Sequence, residues 1–523
     1  MPNPRSIQWA QLFELPAQPA LPLQGRLRLA IVQAVLDGRL PAGAPLPSSR
    51  ELARLLGLSR NTVTSAYLQL IDEDFLESRP RSGVYVARHI SPSALAAAAP
   101  PTASATTASS SGTAGSAAPR WSARVLRSLS GRPTLSKPDQ WRRYPYPFVY
   151  GTYDPQLFPT EDFRECCARS LARSQVPHWT PDFETDDVPD LVEQIRLRLC
   201  PKRGVFPTKD EILVTVGAQQ AYYLLAEALF ESSTRLGLEE PGHPHARNSF
   251  SLRAPRQVAV AVDADGLVVD NLPAVDYLYV TPSHQSPTTA TLSLERRHRL
   301  LAFAAAQDVV VIEDDYEAEN PYAGAPMPAL KSLDKNGRVI YVGSVSKSLS
   351  PALRLGYIVA PAPLIRELRL LRHAMLRHPS AFLQHAYALF LSLGHHESHA
   401  RKVNAAMQER LALAAAALRE HLPDFAFELP QGGGSIWVRA PAWLDASELS
   451  LAARGHGVLI EAGDVFFLNP PDPCPYFRLR LSSIAAGSIA AGIRALGLAV
   501  AELAQARGEA RANPSPALAA TRD

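Results

Sequence analysis

Residues 342–357 read VGSVSKSLSPALRLGY, and one lysine, Lys347, stands in this stretch among serines. The apolar run at residues 339–342 comes directly before it and predicts a buried strand. A lysine at the end of a buried strand must be neutralised or paired, because burial disfavours the charged ammonium form. The stretch therefore predicts either an incidental lysine or one with a chemical role.

Length and composition predict a globular chain with more than one domain. The 523 residues are 46% hydrophobic and 20% charged, which favours about two to four domains. The net charge of +3 is too small to indicate a partner, and the four cysteines have no spacing that suits zinc or a disulfide framework. We find no signal-peptide pattern and no uncharged apolar run of about 18 residues, so we expect a cytoplasmic protein with no membrane span.

Composition divides the chain into four segments. Residues 91–140 are rich in Ala, Ser and Pro and cannot bury enough apolar surface to fold, which predicts a linker. The linker separates a head at residues 1–90 from a body at 141–506, and residues 507–523 form a low-complexity tail. The second half of the linker is basic, so it is either a solvated tether or a segment that lies along an acidic partner such as DNA.

The head has the pattern of two helices followed by a hairpin. The helices join at Gly57, Ser48 or Ser49 can cap the first, and Ser59 can cap the second. The outward face of the second helix begins with residue types that reach phosphates and base edges, and the hairpin tip carries two arginines. The residues predicted to contact DNA are Ser49, Arg50, Arg60, Asn61, Thr62, Thr64, Arg79 and Arg81.

Taken alone, the two helices also fit a small helical domain with an ordinary solvated face. The whole head, including the upstream helix near residues 22–41 and the LPSSRELA segment at 46–53, resembles the winged helix-turn-helix of GntR-type bacterial regulators. This resemblance implies that double-stranded DNA is a partner.

The body alternates helical and strand patterns. Helix-like stretches such as 219–230 and 294–306 are separated by β-branched runs at 211–216, 277–281, 309–312 and 339–342. This alternation predicts an α/β domain around a mostly parallel sheet. Ligands of such sheets bind at the carboxyl ends of the strands, which is where Lys347 falls.

Other strand ends supply groups that suit a phosphorylated cofactor. Asp314 follows an apolar strand, as does a carboxylate that pairs with a pyridinium nitrogen. At Gly217 a strand ends and a helix begins, which offers free N–H groups to a phosphate, and Ser344, Ser346 and Arg354 add donors. Each signal is weak by itself, but a P-loop is excluded because no glycine directly precedes the lysine of GSVSKS.

The ordered set of these motifs resembles the fold-type-I aminotransferases, and behind a GntR-like head it resembles the MocR/GabR family of transcriptional regulators. The resemblance implies a mostly parallel sheet with a smaller C-terminal α/β subdomain, and pyridoxal phosphate held as an aldimine on Lys347. It also implies that Asp314 pairs with the pyridinium nitrogen and that Tyr316 donates to the ring hydroxyl. The cofactor-binding residues predicted in this way are Gly217, Ala218, Gln219, His243, Gln285, Asp314, Tyr316, Ser344, Ser346, Lys347 and Arg354.

The same resemblance implies an effector that carries an amino group. Arg478 resembles the family's carboxylate-binding arginine, and Arg480 is an alternative because it points the same way on a strand. Family members look like homodimers, so we expect a paired or repeated operator. Two rivals stay open: an active aminotransferase with an appended helix-turn-helix, and a DNA-binding protein whose body binds another ligand without a cofactor.

Three stretches depart from the family pattern. His243 stands after Glu-Pro-Gly where relatives have Tyr or another aromatic residue, and Thr289 replaces a usual glycine. Residues 178–187 stand where many relatives have a segment that reaches the cofactor pocket. These departures concern the effector and any residual catalysis more than the cofactor.

Overall fold

The computed structural model describes residues 9–13, 21–80, 82–89, 121–125, 128–150, 154–317, 327–345 and 349–512. Contacts divide the chain into two compact units, residues 1–119 and 120–523. The predicted site residues Arg81, Ser346 and Lys347 lie outside the described residues.

The first unit is built from short helices and one hairpin. Its elements are α1 (Trp9–Leu12), α2 (Leu23–Leu36), α3 (Ser49–Leu56), α4 (Arg60–Asp72), β1 (Leu76–Arg79) and β2 (Gly83–Val86). Ser48 accepts a hydrogen bond from the Glu51 amide at 3.2 Å, and Ser59 accepts one from the Thr62 amide at 3.1 Å. These side chains start α3 and α4 because they satisfy amides that have no partner within the helix. Strands β1 and β2 pair antiparallel to form the wing.

The second unit carries the remaining elements. Its helices are α5 (Trp121–Arg124), α6 (Thr160–Ser170), α7 (Pro189–Gln194), α8 (Gly217–Leu229), α9 (Pro244–Phe250), α10 (Leu294–Ala306), α11 (Leu330–Leu333), α12 (Ala362–Leu376), α13 (Ala381–Ser392), α14 (His395–His421), α15 (Ala446–Gly455) and α16 (Ala486–Ala512). Its strands are β3 (Tyr146–Pro147), β4 (Ile212–Thr215), β5 (Arg235–Glu240), β6 (Arg256–Asp263), β7 (Gly266–Leu267), β8 (Tyr277–Val280), β9 (Val310–Asp315), β10 (Val339–Ser344), β11 (Gly356–Val359), β12 (Ala426–Phe427), β13 (Ser435–Arg439), β14 (Val458–Leu459), β15 (Glu461–Ala462) and β16 (Tyr476–Arg480).

The large sheet of this unit has the strand order β4-β11-β10-β9-β8-β5-β6-β7. The central strands β10, β9, β8, β5 and β6 pair in parallel, while β4, β11 and β7 join antiparallel. Buried apolar residues pack against both faces of this sheet. The carboxyl ends of β5, β8, β9 and β10 therefore meet at one edge, as parallel pairing requires.

A smaller antiparallel sheet, in the order β12-β13-β16-β15, forms the C-terminal subdomain. Helix α16 packs on it through buried Ile489, Ile493 and Leu496. Residues 486–508 of α16 have a mean hydropathy of 1.4 and are long enough to cross a membrane. Length and hydropathy are weak grounds for a membrane span, because the core helix of a globular domain passes the same test. The helix extends to Ala512, beyond the predicted start of the tail at residue 507.

Residues 128–140, the end of the predicted linker, contact the body. Lys137 donates to the Tyr150 carbonyl at 2.7 Å, and Asn248 donates to the Pro133 carbonyl at 2.8 Å. Burial lowers the pKa of Lys137, while nearby Glu461 opposes that shift. These contacts differ from the solvated tether expected for the whole linker.

Asp187 fastens the end of the unusual segment 178–187 to the large sheet. Its carboxylate accepts from Arg372 at 2.5 Å, from Arg369 at 3.2 Å and from the Val214 amide at 3.1 Å. Both Asp187 and Arg372 are buried. No residue of this segment lines the cavity described below.

The Asp187→Ala variant is expected to lower the free energy of unfolding by about 3–5 kcal/mol, because it leaves the buried Arg372 guanidinium without its anion. Urea denaturation followed by tryptophan fluorescence measures this change. Asp186→Ala is the matched control, because Asp186 is exposed and only 3.6 Å from Arg369. Equal loss of stability in the two variants would contradict this account of Asp187.

Candidate cofactor site and DNA-binding surface

The carboxyl ends of the parallel strands open onto a cavity of about 340 Å³. The predicted residues Ala218, Gln219, His243, Asp314, Tyr316, Ser344, Arg354, Arg478 and Arg480 all line it. Tyr150, Tyr222, His245, Ser286 and Pro351 complete the wall. The structure thus brings together side chains from residue 150 to residue 480.

Asp314 is the buried anion at this cavity. It lies near the end of β9 with 2% of its surface exposed, and its Oδ2 accepts from the hydroxyls of Tyr222 at 2.5 Å and Tyr279 at 2.6 Å. Burial, followed by the charge of Asp314, raises the pKa of both tyrosines well above the ordinary value. Both hydroxyls therefore stay protonated and donate, which stabilises a carboxylate that can pair with a cationic ring nitrogen.

Gly217 and Arg354 form a cradle at the start of α8. Gly217 has φ +68°, and a Cβ atom there would lie 2.9 Å from Arg354 Nη2. Arg354 donates to the Val216 carbonyl at 3.1 Å, and Ser344 lies beside it because β10 pairs with β11 at Ser344 and Gly356. Free amides at a helix N-terminus, a hydroxyl and a guanidinium are the donors that bind a phosphate. These donors and Asp314 fit the two ends of pyridoxal phosphate.

Tyr316 directly follows this strand. Burial, followed by the charge of Glu317, raises the pKa of Tyr316 well above the ordinary value, so its hydroxyl remains a donor. A protonated phenol suits the predicted contact with a ring oxygen.

Two arginines of β16 reach the cavity but differ in their partners. Arg480 donates to Glu317 at 2.5 Å and to Ser482 at 3.3 Å. Arg478 donates through Nε to Glu461 at 2.7 Å and lies 4.6 Å from the ring of Phe466. Its Nη2 is buried and has no hydrogen-bond partner within the described part of the chain. Arg478 therefore retains a donor for an anion in the cavity.

Gln285, predicted to bind the cofactor, is not among the residues that line the cavity. Its Nε2 donates to the Pro241 carbonyl at 2.7 Å, and its Oε1 accepts from Thr288 at 2.7 Å. These bonds use the amide to hold its own loop, and the neighbouring Ser286 lies on the cavity wall instead. His243 does line the cavity, where its ring meets Tyr222 edge-on with centroids 6.4 Å apart.

Sequence reasoning missed the residues that hold the predicted ones. Tyr222 lies one helical turn after Gln219, so its spacing on α8 was an available signal. Tyr279, Tyr150, Glu461 and Glu317 carry no local signal, because each meets its partner through the tertiary fold. His245 follows His243 by two residues and was also missed.

The predicted DNA-binding residues of the head have different surroundings. Arg50, Arg60 and Asn61 are exposed, whereas Ser49, Thr62 and Thr64 are partly buried. The Thr62 hydroxyl is 2.8 Å from that of Ser59, within the cap of α4. Arg79 donates to Glu77 at 3.0 Å and lies 4.2 Å from the ring of Tyr85, so part of its charge is used within the wing.

Gly217→Ala is expected to weaken pyridoxal phosphate binding by about tenfold or more, because the new methyl group displaces a charged phosphate donor. A titration followed by absorption spectroscopy measures the affinity. Gly337→Ala is the matched control, since Gly337 also has φ +68° but a methyl group added there would meet no atom within 4 Å. Equal affinities would show that backbone strain alone, and not Arg354, explains the effect.

Comparison with known families matches both units of the chain. The model of bacterial regulatory proteins of the gntR family matches residues 23–86, and that of aminotransferase class I and II matches residues 187–494. Among solved structures, LysN, the alpha-aminoadipate aminotransferase of Thermus thermophilus, is similar with a TM-score of 0.66 and 28% identity, over 72% of this chain and 97% of that one. This aminotransferase fold is dependent on pyridoxal phosphate, and the GntR-type domain binds DNA.

Two relatives are similar along nearly the whole chain. The HTH-type transcriptional regulator TauR of Rhodobacter capsulatus is 40% identical over 479 residues, which cover 91% of this chain and 96% of the relative. The probable rhizopine catabolism regulatory protein MocR of Rhizobium meliloti is 33% identical over 460 residues, with 86% and 88% covered. These matches confirm the predicted fold class and the resemblance. The chain therefore belongs to the MocR/GabR family of transcriptional regulators, with a GntR-type winged helix-turn-helix followed by an aminotransferase class I and II domain.

Proposed function

We propose that this regulator holds pyridoxal phosphate covalently on Lys347 and senses a small amine that also carries a carboxylate. The buried Asp314 carboxylate, held by two tyrosine hydroxyls, carries this proposal. Such a charge is costly unless it has a cationic partner as well as hydrogen bonds, and a protonated ring nitrogen supplies that cation.

The residues of the cavity divide the binding of the cofactor between them. Pyridoxal phosphate supplies an aldehyde that binds primary amines reversibly and a ring that withdraws electrons. Asp314 keeps the ring nitrogen protonated, and Tyr316 donates to the ring hydroxyl. The amides at the start of α8, with Ser344 and Arg354, hold the phosphate.

Arg478 defines the chemical class of the effector. Its buried Nη2 offers a hydrogen bond and a positive charge to an anion that enters the cavity. An effector with an amino group for the cofactor and a carboxylate for Arg478 uses both features. Its binding changes DNA affinity only if it favours one of two states of the protein.

The partner of the head is double-stranded DNA, and the protein acts in the cytoplasm as a homodimer on a paired or repeated operator. A dimer presents two heads, and two-fold symmetry of the protein requires a repeated site on the DNA. Regulators that share both domains over nearly the full length support this role over that of an aminotransferase with an appended head.

Ligand-dependent DNA binding tests the proposal. Operator DNA is selected from a random pool with the full-length protein, and an amine is chosen from a panel by its effect on the cofactor spectrum. We expect this amine to change the DNA affinity of the wild type but not that of Lys347→Ala, whose head remains folded. A retained response in Lys347→Ala would contradict the covalent role of Lys347.

The same assay tests the DNA surface. Arg60→Ala is expected to weaken operator binding by about tenfold or more, because Arg60 is exposed at the start of α4. Arg28→Ala is the matched control, since Arg28 carries the same charge but is bound to Glu73 at 2.5 Å. A larger loss for Arg28→Ala than for Arg60→Ala would contradict the assignment of α4 as the recognition helix.

A further inference from the structure

Glu461 lies between the effector arginine and the segment that follows the linker. It is buried on β15, directly opposite Arg478 on β16, and its Oε2 accepts from Arg478 Nε at 2.7 Å. Its Oε1 accepts from the Tyr150 amide at 2.5 Å. One carboxylate therefore joins two parts of the chain that are 328 residues apart (478 − 150).

Tyr150 extends this contact to the linker. It lines the cavity, and its carbonyl accepts from the Lys137 ammonium at 2.7 Å. Lys137 also lies 4.9 Å from the ring of Trp141. The resulting series, which we call the relay, is Arg478, Glu461, Tyr150 and Lys137.

The contact with Glu461 also orients Arg478. Because Nε is used by Glu461 and the Phe466 ring lies against the guanidinium, Nη2 stays in the buried wall without a partner among the described residues. A guanidinium has five N–H donors in a fixed plane, so fixing Nε also fixes the direction of the remaining donors.

A carboxylate at Nη2 would share one guanidinium with Glu461. Arg478 then balances less of the Glu461 charge, and the other partners of Glu461 must balance more. Those partners are the Tyr150 amide and, through space, the Lys137 ammonium. Attraction between Lys137 and this group of charges therefore increases when the second anion arrives.

We propose that Glu461 is a positioning residue that directs Arg478 toward the effector carboxylate and couples its binding to tighter docking of the linker end at Lys137. This inference rests on the proposed function, because it assumes that Arg478 receives the carboxylate. The coupling is reciprocal: Lys137 strengthens carboxylate binding by the same factor by which the carboxylate strengthens docking of Lys137.

Hydrogen–deuterium exchange of the full-length, cofactor-loaded protein tests the linker half of the relay without any effector. Glu461→Gln is expected to raise deuterium uptake in residues 138–150, because an amide offers one acceptor oxygen where the carboxylate offers two. Lys137→Met is expected to raise it as well. Lys209→Met removes the same charge from an exposed ion pair with Glu193 and should leave this segment unchanged. Wild-type uptake in Glu461→Gln would overturn the relay.

Amine binding to the same protein, read from the cofactor spectrum and from exchange, tests the effector half. The probes are L-alanine and β-alanine, each compared with ethylamine, which lacks the carboxylate. Lys137→Met is expected to weaken binding of the better carboxylate probe by about fivefold and to leave ethylamine unchanged. Lys137→Arg should restore the affinity, and the carboxylate probe, unlike ethylamine, should lower uptake in residues 138–150 of the wild type.

The outcomes separate the relay from the function on which it rests. If neither carboxylate binds the wild type more tightly than ethylamine, the role of Arg478 is wrong, and the inference fails with it. If the wild type prefers the carboxylate and Lys137→Met keeps that preference in full, the relay alone is wrong. A loss of affinity for ethylamine equal to that for the carboxylate would also overturn it, because general damage to the fold weakens both.

Discussion

The hydrogen bonds from Tyr222 and Tyr279 to the buried Asp314 carboxylate are the interaction on which the rest of the site depends. A buried carboxylate is tolerated only where donors or cations surround it, so this position must receive side chains from several elements. Parallel pairing of β8 with β9 places Tyr279 beside it, and α8 contributes Tyr222 from above the same strand ends. The same helix begins at Gly217, so the groups for a ring nitrogen and for a phosphate are fixed by one element.

Much of this arrangement could be predicted from the sequence, because it depends on local patterns. Gly217, Asp314 and Ser344 each lie at or next to a strand end, and parallel strands bring their carboxyl ends to one edge. The choice between Arg478 and Arg480 could not be made in this way, since residues two apart on a strand face the same side. Only their partners separate them, and Glu461 and Glu317 come from other elements of the fold.

The departures from the family pattern also have physical explanations. Thr289 replaces a glycine and still adopts φ 67°, the left-handed conformation that glycine adopts readily. Bonds from the Thr289 amide to the Gln285 carbonyl at 2.7 Å and from the Gln285 amide to the Ala290 carbonyl at 2.9 Å hold this turn. The Gln285 side chain belongs to the same network, which explains why spacing alone assigned it to the cofactor. Composition likewise extended the linker to residue 140, because the docking of Lys137 on one carbonyl leaves no compositional signal.

The account's central claim is that this body binds pyridoxal phosphate on Lys347 with Asp314 as its anionic partner. The most direct measurement is the absorption spectrum of the full-length protein loaded with the cofactor, followed by borohydride reduction and mass analysis of its peptides. The account predicts a visible cofactor band, a single reduced pyridoxyl group on Lys347, and loss of the band in Asp314→Ala. A protein that stays colourless with added cofactor, or modification spread over surface lysines, would contradict it.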